Sequence, residues 1–445
     1  MKSYFSVCSS KLFWLKETLK HPLLNSAWTV CLPLENVSRT ELERLQEDKL
    51  KRILRHAAKT VPFYRDYFIS KGIDADNVSL LDFPTVAKKD IRGQEEKFIS
   101  TAKGLPKVHW DRTSGSTGEP FKFGRSEFDY TYATLWRGLL RFGIRPGDKR
   151  VLVKGVDITS RISLKTRIRR WIYGKVNRCI VVDAHFLARS EENVIRELKR
   201  IIDYRPQYLH GYASSIYLLA TTAEKIGADM AQMKVKAIVT ESEKCHDFQR
   251  KTIVRVFNAP VVENYGSVEF GMIAQPASDG RLCINEDHVH VETTTKGEAV
   301  LTNLDEFGFP LIRFKNGDKI TKGRVHEVLP YCTLTSIEGR MAETIFLPNG
   351  GSLQGYIVMY PISKHMKYLR EYQIYQSRID HLLIRVVEAV PLPVEVEEQI
   401  IKEMHGIVGE SLNVELQKVA SIPLTKRGKR MFVYSDVKPS QRIFV

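Results

Sequence analysis

Between residues 151 and 266 short apolar runs alternate with segments of helical periodicity, and this alternation constrains the fold more than any other feature. Strands are predicted at 151–153, 179–182, 208–212, 236–241 and 260–266, and helices at 190–203, 216–226 and 246–257. Repeated strand–helix units favour an α/β layer around a largely parallel sheet. Such sheets bind ligands at the carboxyl ends of their strands. The polar residues of Thr240–Glu243 and Asn264–Ser267 therefore predict a site at that edge.

Different patterns flank this layer. Helices are predicted within 39–71 and over 127–142. Short strands are predicted in a β-rich region at 289–292, 298–303, 311–315 and 324–329, and beyond residue 339 strands at 343–347, 372–377, 381–390 and 413–419 surround a helix at 393–409. The chain is predicted to be α/β, with a large N-terminal domain of several subdomains over 1–338, one of them β-rich, and a small α+β C-terminal domain over 339–445.

The formal net charge of +16 on 445 residues indicates anionic partners, such as nucleotides, acidic carriers or a membrane surface. Seven basic residues and no acidic one lie between 158 and 182. A solvated helical face is the default interpretation, and an anion-binding rim or a membrane-facing patch is the alternative. No recognisable nucleic-acid-binding motif is present, so nucleic acid is not expected as a partner. A non-catalytic basic binding protein stays open as a rival class.

Cysteine spacing and the N-terminal segment bear on location. The six cysteines lie far apart without a Cys-x-x-Cys pair, which favours a reducing compartment and a cytoplasmic protein. Residues 1–34 carry apolar side chains interrupted by lysines, and they lack the features of a membrane helix or a signal peptide. Packing onto the protein's own surface is favoured, and a peripheral membrane contact stays open. Nothing in the sequence sets the oligomeric state, so a homodimer also stays open.

A polar loop from Thr113 to Pro120 is the first candidate for chemistry. Its hydroxyls, glycines and successive backbone N–H groups suit a phosphate cradle, with a flexible surface turn as the plain alternative. It is not a Walker A motif, because no lysine follows Gly118. No Gly-x-Gly-x-x-Gly follows a predicted strand either, which leaves a Rossmann site unsupported. A phosphate-binding lysine must therefore come from elsewhere in the chain.

Four further motifs follow this loop in order. They are Tyr265-Gly266-Ser267-Val268-Glu269, Gly317-Asp318, Gly339-Arg340-Met341-Ala342-Glu343 and Pro423-Leu424-Thr425-Lys426-Arg427-Gly428-Lys429. Together they resemble the motifs of the adenylate-forming superfamily, and most closely its phenylacetate-CoA ligase branch with the CapK-type members. The resemblance extends over nearly the whole chain and implies an adenylate-forming N-terminal domain followed by a small mobile C-terminal domain.

The resemblance also implies roles for individual residues, with ATP and Mg²⁺ as cofactors. Lys429, Glu269 and Thr117 are the implied catalytic residues, and Glu269 is the implied metal ligand. Nucleotide binding is implied for Thr113, Ser114, Gly115, Ser116, Thr117, Gly118, Glu241, Asn264, Tyr265, Gly266, Asp318 and Arg340. Within this set, Tyr265 would stack on adenine and Asp318 would accept the ribose hydroxyls. The carboxylate substrate would meet Tyr212, Ala213 and Ser214.

Three positions depart from the family pattern. Leu424 and Arg427 differ from it near Lys429, and Glu343 stands where many relatives have an aspartate. The implied reaction joins a small carboxylic acid to AMP with release of pyrophosphate, and then passes the acyl group to an acceptor. CoA is the favoured acceptor, a carrier or sugar is the alternative, and CapK-type relatives suggest a capsule or exopolysaccharide pathway. His288 and His290 are predicted to face solvent rather than to bind metal.

Overall fold

The computed structural model describes residues 8–113, 121–155, 171–172, 174–187, 190–338, 344–348, 352–424 and 430–437. It divides into two compact units, Met1–Ile337 and Glu338–Val445, called unit 1 and unit 2 below. No helix in the described part of the chain is long and apolar enough to cross a membrane.

The elements are numbered here in chain order. The helices are α1 Lys11–Lys20, α2 Leu24–Cys31, α3 Arg39–Thr60, α4 Pro62–Lys71, α5 Lys88–Ile91, α6 Asp129–Leu140, α7 Ala184–Leu187, α8 Glu191–Tyr204, α9 Ala213–Lys225, α10 Asp247–Phe257, α11 Gly355–Ser363 and α12 Val394–Val408. Short 3₁₀ helices are Leu32–Asn36, Leu80–Asp82, Glu95–Phe98 and Met230–Met233.

The strands of unit 1 are β1 Val86–Ala87, β2 His109–Thr113, β3 Phe121–Arg125, β4 Arg150–Lys154, β5 Cys179–Asp183, β6 Tyr208–Gly211, β7 Ala237–Thr240, β8 Val261–Glu263, β9 Tyr265–Ser267, β10 Gly271–Pro276, β11 Leu282–Ile284, β12 Val289–Thr293, β13 Glu298–Asn303, β14 Phe314–Val325 and β15 Cys332–Glu338. Those of unit 2 are β16 Thr344–Phe346, β17 Ser352–Gln354, β18 Leu369–Arg378, β19 His381–Glu388, β20 Asn413–Lys418 and β21 Val433–Ser435.

A parallel sheet of five strands, ordered β5-β4-β6-β7-β8, forms the α/β layer of unit 1. Successive side chains of β7 alternate between two cores. Ile238 packs with α8, α9 and α10, whereas Ala237 and Val239 pack with α1, α2 and α6. A sheet covered on both faces is what an apolar, parallel strand pattern requires. The predicted α/β class is therefore confirmed.

A second, mixed sheet holds the β-rich part of unit 1, in the order β12-β13-β14-β15-β11-β10-β9, with β1 added beside β14. The predicted strand at 324–329 is wrong, because β14 is a single strand from Phe314 to Val325. Its charged residues and Gly317, whose φ is +90°, interrupt the alternation of apolar and polar residues that predicts a strand. The register between β13 and β14 shifts there, so that residues near Gly317 are extra to the pairing. Such a bulge turns local side chains out of the ladder.

Unit 2 is built on a four-stranded sheet, β20-β19-β18-β21, with helices α11 and α12 against it. The central pair β18–β19 is antiparallel, and the outer strands pair parallel to their neighbours. A cavity of about 320 Å³ lies on this sheet and is lined by Gln373, Tyr375, Arg385, Pro423, Leu424, Met431 and Tyr434. The helix α11 and the strand β21 were not predicted from sequence.

The cysteines are all free thiols. Cys31, Cys179, Cys245 and Cys283 are buried, and Cys8 and Cys332 are partly exposed. All six belong to unit 1, since residues 338–445 contain no cysteine. Burial raises the pKa of the Cys31 thiol to about 12, so it stays protonated at neutral pH.

Candidate active site

Tyr265 and Asp318, 53 residues apart in sequence, are joined by a hydrogen bond. The Tyr265 hydroxyl donates to Asp318 Oδ2 at 2.9 Å. Asn316 completes the group, since its Nδ2 lies 2.8 Å from Asp318 Oδ2 and 3.1 Å from the Tyr265 hydroxyl. The β14 bulge at Gly317 makes room for this arrangement. Two of the predicted nucleotide residues, on strands β9 and β14, thus lie within hydrogen-bond distance of each other.

The turn after β9 carries the buried carboxylate of Glu269. Its side chain is 3% exposed, and Lys88 Nζ lies 3.0 Å from its Oε1. The turn is tight, because a Cβ at Gly266 would stand 2.3 Å from the Gly271 carbonyl oxygen. His288 holds the far side of the turn, with its Nε2 2.9 Å from the Phe270 carbonyl oxygen. The tight turn therefore fixes the position of Glu269, and its carboxylate pairs with Lys88, which lies outside the predicted motifs.

His288 also corrects a prediction. Its ring is fully buried, and its Nδ1 lies 2.9 Å from Asp305 Oδ2, so the expectation that it faces solvent is wrong. An alternating strand pattern had suggested an exposed position, but His288 precedes β12 and packs under the β9–β10 turn. Among the described residues no group of three His, Cys, Asp or Glu side chains could hold a metal ion.

Polar groups without partners lie at the carboxyl ends of β7 and β8. Thr240 Oγ1 and both amide atoms of Asn264 are buried and make no hydrogen bond among the described residues. The two residues are neighbours, since the Asn264 N–H donates to the Thr240 carbonyl at 3.2 Å. Buried polar atoms without a partner cost free energy, so a cluster of them indicates a ligand or water in the functional state.

Glu241 follows Thr240 and lies between a lysine and a histidine. Its Oε2 is 2.8 Å from His210 Nε2, and its Oε1 is 2.5 Å from Lys154 Nζ. Burial alone would raise the pKa of this carboxyl, but His210 and Lys154 outweigh burial and hold the pKa below its ordinary value. Glu241 is therefore ionised at neutral pH and belongs to a charged cluster at the ends of β4, β6 and β7.

The three predicted substrate residues begin α9. Tyr212 is the residue before the helix and is 6% exposed, Ala213 is fully buried, and the Ser214 N–H donates to Glu243 Oε2 at 3.0 Å. A Cβ at Gly211 would lie 1.9 Å from the Val153 carbonyl oxygen, so glycine permits this close approach of β6 to β4. Tyr208, at the start of β6, is 1% exposed and belongs to the core.

Several predicted residues lie outside the described part of the chain: Ser114, Gly115, Ser116, Thr117, Gly118, Arg340, Glu343 and Lys429. Thr113, whose backbone is described, ends β2 and pairs with Phe121 of β3. Sequence analysis missed Lys88, Lys154, His210 and Asn316. Each is an ordinary polar residue in its local sequence, and only the fold shows which carboxylate it meets.

Solved structures with the same architecture define the class of fold. A 2-hydroxyisobutyryl-CoA ligase in its postadenylation state, in complex with R3-HIB-AMP, matches with a TM-score of 0.70 at 18% identity over 91% of each chain. The same ligase with 2-HIB-AMP and CoA matches with a TM-score of 0.56 at 21% identity, over 90% of this chain and 93% of the other. The fold is that of the adenylate-forming ligases.

Sequence relatives then narrow this class. The protein CapK of Staphylococcus aureus is 24% identical over 89% of this chain and 90% of its own. The phenylacetate-coenzyme A ligase of Aromatoleum evansii is 27% identical over 86% of this chain and 88% of its own. The family model of the CapK C-terminal domain matches residues 347–436. The protein is a homologue of CapK and the phenylacetate-coenzyme A ligases, as predicted, and its class is that of AMP-forming acid ligases.

Proposed function

We propose that the protein activates a small carboxylic acid with ATP, forming an acyl-adenylate and pyrophosphate, and then transfers the acyl group to an acceptor. In the first step the carboxylate oxygen bonds to the α-phosphorus, and the bond from that phosphorus to the bridging oxygen of pyrophosphate breaks. In the second step the acceptor atom bonds to the acyl carbon and gives up its proton to solvent, and the bond from that carbon to the phosphate oxygen breaks, so that AMP leaves. Atoms and charges balance without any redox partner.

The observation that carries this proposal is the set of unpartnered polar groups on Thr240 and Asn264. Asn264 immediately precedes Tyr265, whose hydroxyl binds Asp318. A nucleotide offers ring nitrogens to the unpartnered Asn264 amide, a flat base that can stack on the Tyr265 ring, and two ribose hydroxyls that can donate to the Asp318 carboxylate in addition to its bonds with Tyr265 and Asn316. We assign the Thr113–Gly118 loop to the phosphates because hydroxyls and backbone N–H groups suit them.

The donor set also fits magnesium. Mg²⁺ takes oxygen ligands and is commonly held by one or two carboxylates together with substrate phosphates. Glu269 supplies one buried carboxylate, and Lys88 leaves its second oxygen available. When bound, the ion would lower the negative charge around the phosphates. Lys88 would hold the Glu269 carboxylate in place and add a positive charge on the same side.

We assign the acid to the region around Tyr212, Ala213 and Ser214, next to the charged cluster of Lys154, His210 and Glu241. Glu241 already pairs with Lys154 and His210, so we propose that it belongs to this cluster rather than to the nucleotide contacts. This charged cluster favours an acid with a hydroxyl or amino substituent over a wholly apolar acid. An apolar substituent would displace water from the cluster without offering it a hydrogen-bond partner.

CoA is the acceptor we favour, since several relatives are phenylacetate-coenzyme A ligases. A carrier or a sugar is the alternative, and a part in capsule or exopolysaccharide synthesis rests on the likeness to CapK at 24% identity. The charge of +16 keeps a non-catalytic basic binding protein as a second alternative. We propose a cytoplasmic reaction, where ATP is available and the six free cysteines stay reduced.

An exchange assay with labelled pyrophosphate and ATP tests the proposal, using a panel of aromatic, short hydroxy and amino acids. Exchange that depends on one acid supports adenylation, and the hydroxy and amino acids are expected to give the fastest exchange. Absence of exchange with every acid contradicts the ligase proposal. Thioester formation on addition of CoA then supports CoA as the acceptor, whereas exchange without a thioester indicates another acceptor.

A further inference from the structure

A row of leucines on α1 faces solvent. Leu12, Leu15 and Leu19 are 56%, 49% and 78% exposed, and Leu23, just beyond the helix, is 61% exposed. Spacings of three and four residues place the first three on one side of the helix. These four side chains are called the leucine face below. Contiguous exposed apolar groups on a soluble surface mark a place of interaction.

The opposite side of α1 is fixed to the body of unit 1. Phe13 is 3% exposed and packs edge-to-face on Trp136 of α6, with ring centres 6.3 Å apart. Glu17 is also buried, and the Ser10 side chain caps the start of the helix. The predicted packing of this segment on the protein's own surface is therefore present. This packing explains why Phe13 is buried, but it leaves the leucine face exposed to solvent.

The surroundings of the leucine face are basic. Lys11 and Lys20 are exposed on α1, and Glu17, the single acidic residue between 8 and 34, is buried and bound to Lys16. A second segment, which runs from Trp171 to Arg178, contacts α1 through Asn177, whose Oδ1 lies 2.6 Å from Lys16 Nζ. This surface therefore carries positive charge around apolar side chains.

This second segment also carries exposed apolar side chains beside basic ones. Trp171 and Ile172 are 64% and 50% exposed, and Lys175 Nζ lies 5.7 Å from the centre of the Trp171 ring. Arg178 Nη1 donates to the Ser9 carbonyl at 3.2 Å, which ties the segment to the start of α1. Tryptophan, leucine and lysine together are characteristic of surfaces that enter the headgroup region of a bilayer.

We propose that the leucine face and the adjoining Trp171 segment dock onto an anionic lipid bilayer, with α1 lying along its surface. Charge favours this occupant over a second copy of the chain, because a symmetric dimer through this face would bring Lys11 and Lys20 against like charges. The apolar side chains would enter the headgroup boundary while the lysines meet lipid phosphates. The proposal is independent of the ligase reaction.

Vesicle flotation tests the proposal with the full-length protein. The wild type is expected to float with vesicles of phosphatidylcholine mixed with phosphatidylglycerol, less with phosphatidylcholine alone, and less at high salt. The double variant Leu15→Ser/Leu19→Ser should lose about tenfold or more of its partitioning, since two leucines no longer enter the bilayer. Lys11→Gln/Lys20→Gln should lower binding to the anionic vesicles only.

The matched control is Ile69→Ser/Leu81→Ser, because these side chains are 72% and 75% exposed elsewhere on unit 1. It should float like the wild type, and thermal melting should show that all variants fold. A wild type that stays with the soluble fraction, or equal loss in test and control variants, would overturn the proposal. So would a concentration-dependent dimer that Leu15→Ser/Leu19→Ser abolishes, since the face would then bind a second copy.

Discussion

Asp318 is the residue on which the nucleotide assignment can be tested most directly. Charged hydrogen bonds contribute about 1.5–3 kcal/mol each, so losing two to ribose should be costly. Asp318→Ala is expected to raise the KM for ATP by about tenfold to a hundredfold with a smaller change in kcat. Tyr265→Phe, which removes only the hydroxyl bound to Asp318, should have a weaker effect. Steady-state kinetics at varied ATP measures both.

The control for Asp318 is Asp279→Ala. Asp279 is an exposed carboxylate in the β10–β11 connection, where it pairs with Arg281 and His326, and its loss should leave the KM unchanged. An unchanged KM in Asp318→Ala would remove Asp318 from the nucleotide site.

Glu269 gives a second test at the scale of single residues. Glu269→Gln keeps the shape of the side chain and an oxygen that can accept from Lys88, but it removes the negative charge that suits Mg²⁺. The Mg²⁺ concentration that gives half-maximal exchange is expected to rise at least about tenfold, as is common when a metal site is perturbed. A magnesium titration identical to that of the wild type would exclude Glu269 as the ligand.

At the residue scale, the sequence predicts motifs but does not reveal the partners of their side chains. The Tyr265 and Asp318 motifs were identified separately, and the fold brings them within hydrogen-bond distance. Lys88 could not be identified, because its carboxylate partner is 181 residues away and its own neighbourhood is an ordinary stretch of mixed charge. His288 was misjudged because neighbouring residues in sequence do not reveal a buried carbonyl partner such as that of Phe270.

At the scale of elements, α6 is joined to the β11–β12 connection by a buried ion pair. Arg137 donates from Nη1 and Nη2 to the two carboxylate oxygens of Asp287, at 2.9 and 2.8 Å, and both side chains are fully buried. Burial would raise the pKa of Asp287, but Arg137 outweighs burial and keeps this pKa below its ordinary value. Asn285 and Tyr130 add further hydrogen bonds to the pair.

Arg137→Met is therefore expected to lower the free energy of unfolding by about 3–5 kcal/mol, because Asp287 would be left buried and unpaired. Chemical denaturation measures the loss. Arg255→Ala serves as the control, since Arg255 and Glu224 form an exposed pair worth about 0–1 kcal/mol. Equal losses in the two variants would mean that the buried pair has no special role.

Elements with a regular apolar pattern could be predicted, and interrupted ones could not. The parallel strands and their helices follow the periodicity of residues 151–266, because burial on both faces demands it. Strand β14 was split in two because its residues are mostly polar and it contains Gly317 and Gly323. Helix α11 was missed because it includes Pro361 and has almost no polar face.

At the scale of the whole molecule, we propose that adenylation depends on Lys429, whose position in the sequence falls within unit 2. Removing one positive group that stabilises developing charge typically costs about 10²–10³ in rate. Lys429→Ala is expected to lose adenylation to that extent while ATP binding is largely retained. Pyrophosphate exchange measures the first quantity, and equilibrium binding of labelled ATP measures the second.

Lys426→Ala is the matched control, since it removes the same charge from the same basic stretch and should keep most of the activity. Near-wild-type exchange by Lys429→Ala would refute the assignment. The sequence could suggest this lysine only through the family motif, because Leu424 and Arg427 depart from the pattern and three more basic residues stand close by, namely Lys426, Arg427 and Arg430.

The confinement of all six thiols to unit 1 has a practical consequence for measuring motion. A cysteine introduced at an exposed position of unit 2, for example Lys402→Cys on α12, would be the sole thiol of that unit. Four of the native cysteines are buried and should react slowly, and the partly exposed Cys8 and Cys332 belong to unit 1, so a fluorescent maleimide would mark unit 2 only at the introduced cysteine. Any rotation of unit 2 between adenylation and acyl transfer could then be followed in solution, in an otherwise native protein.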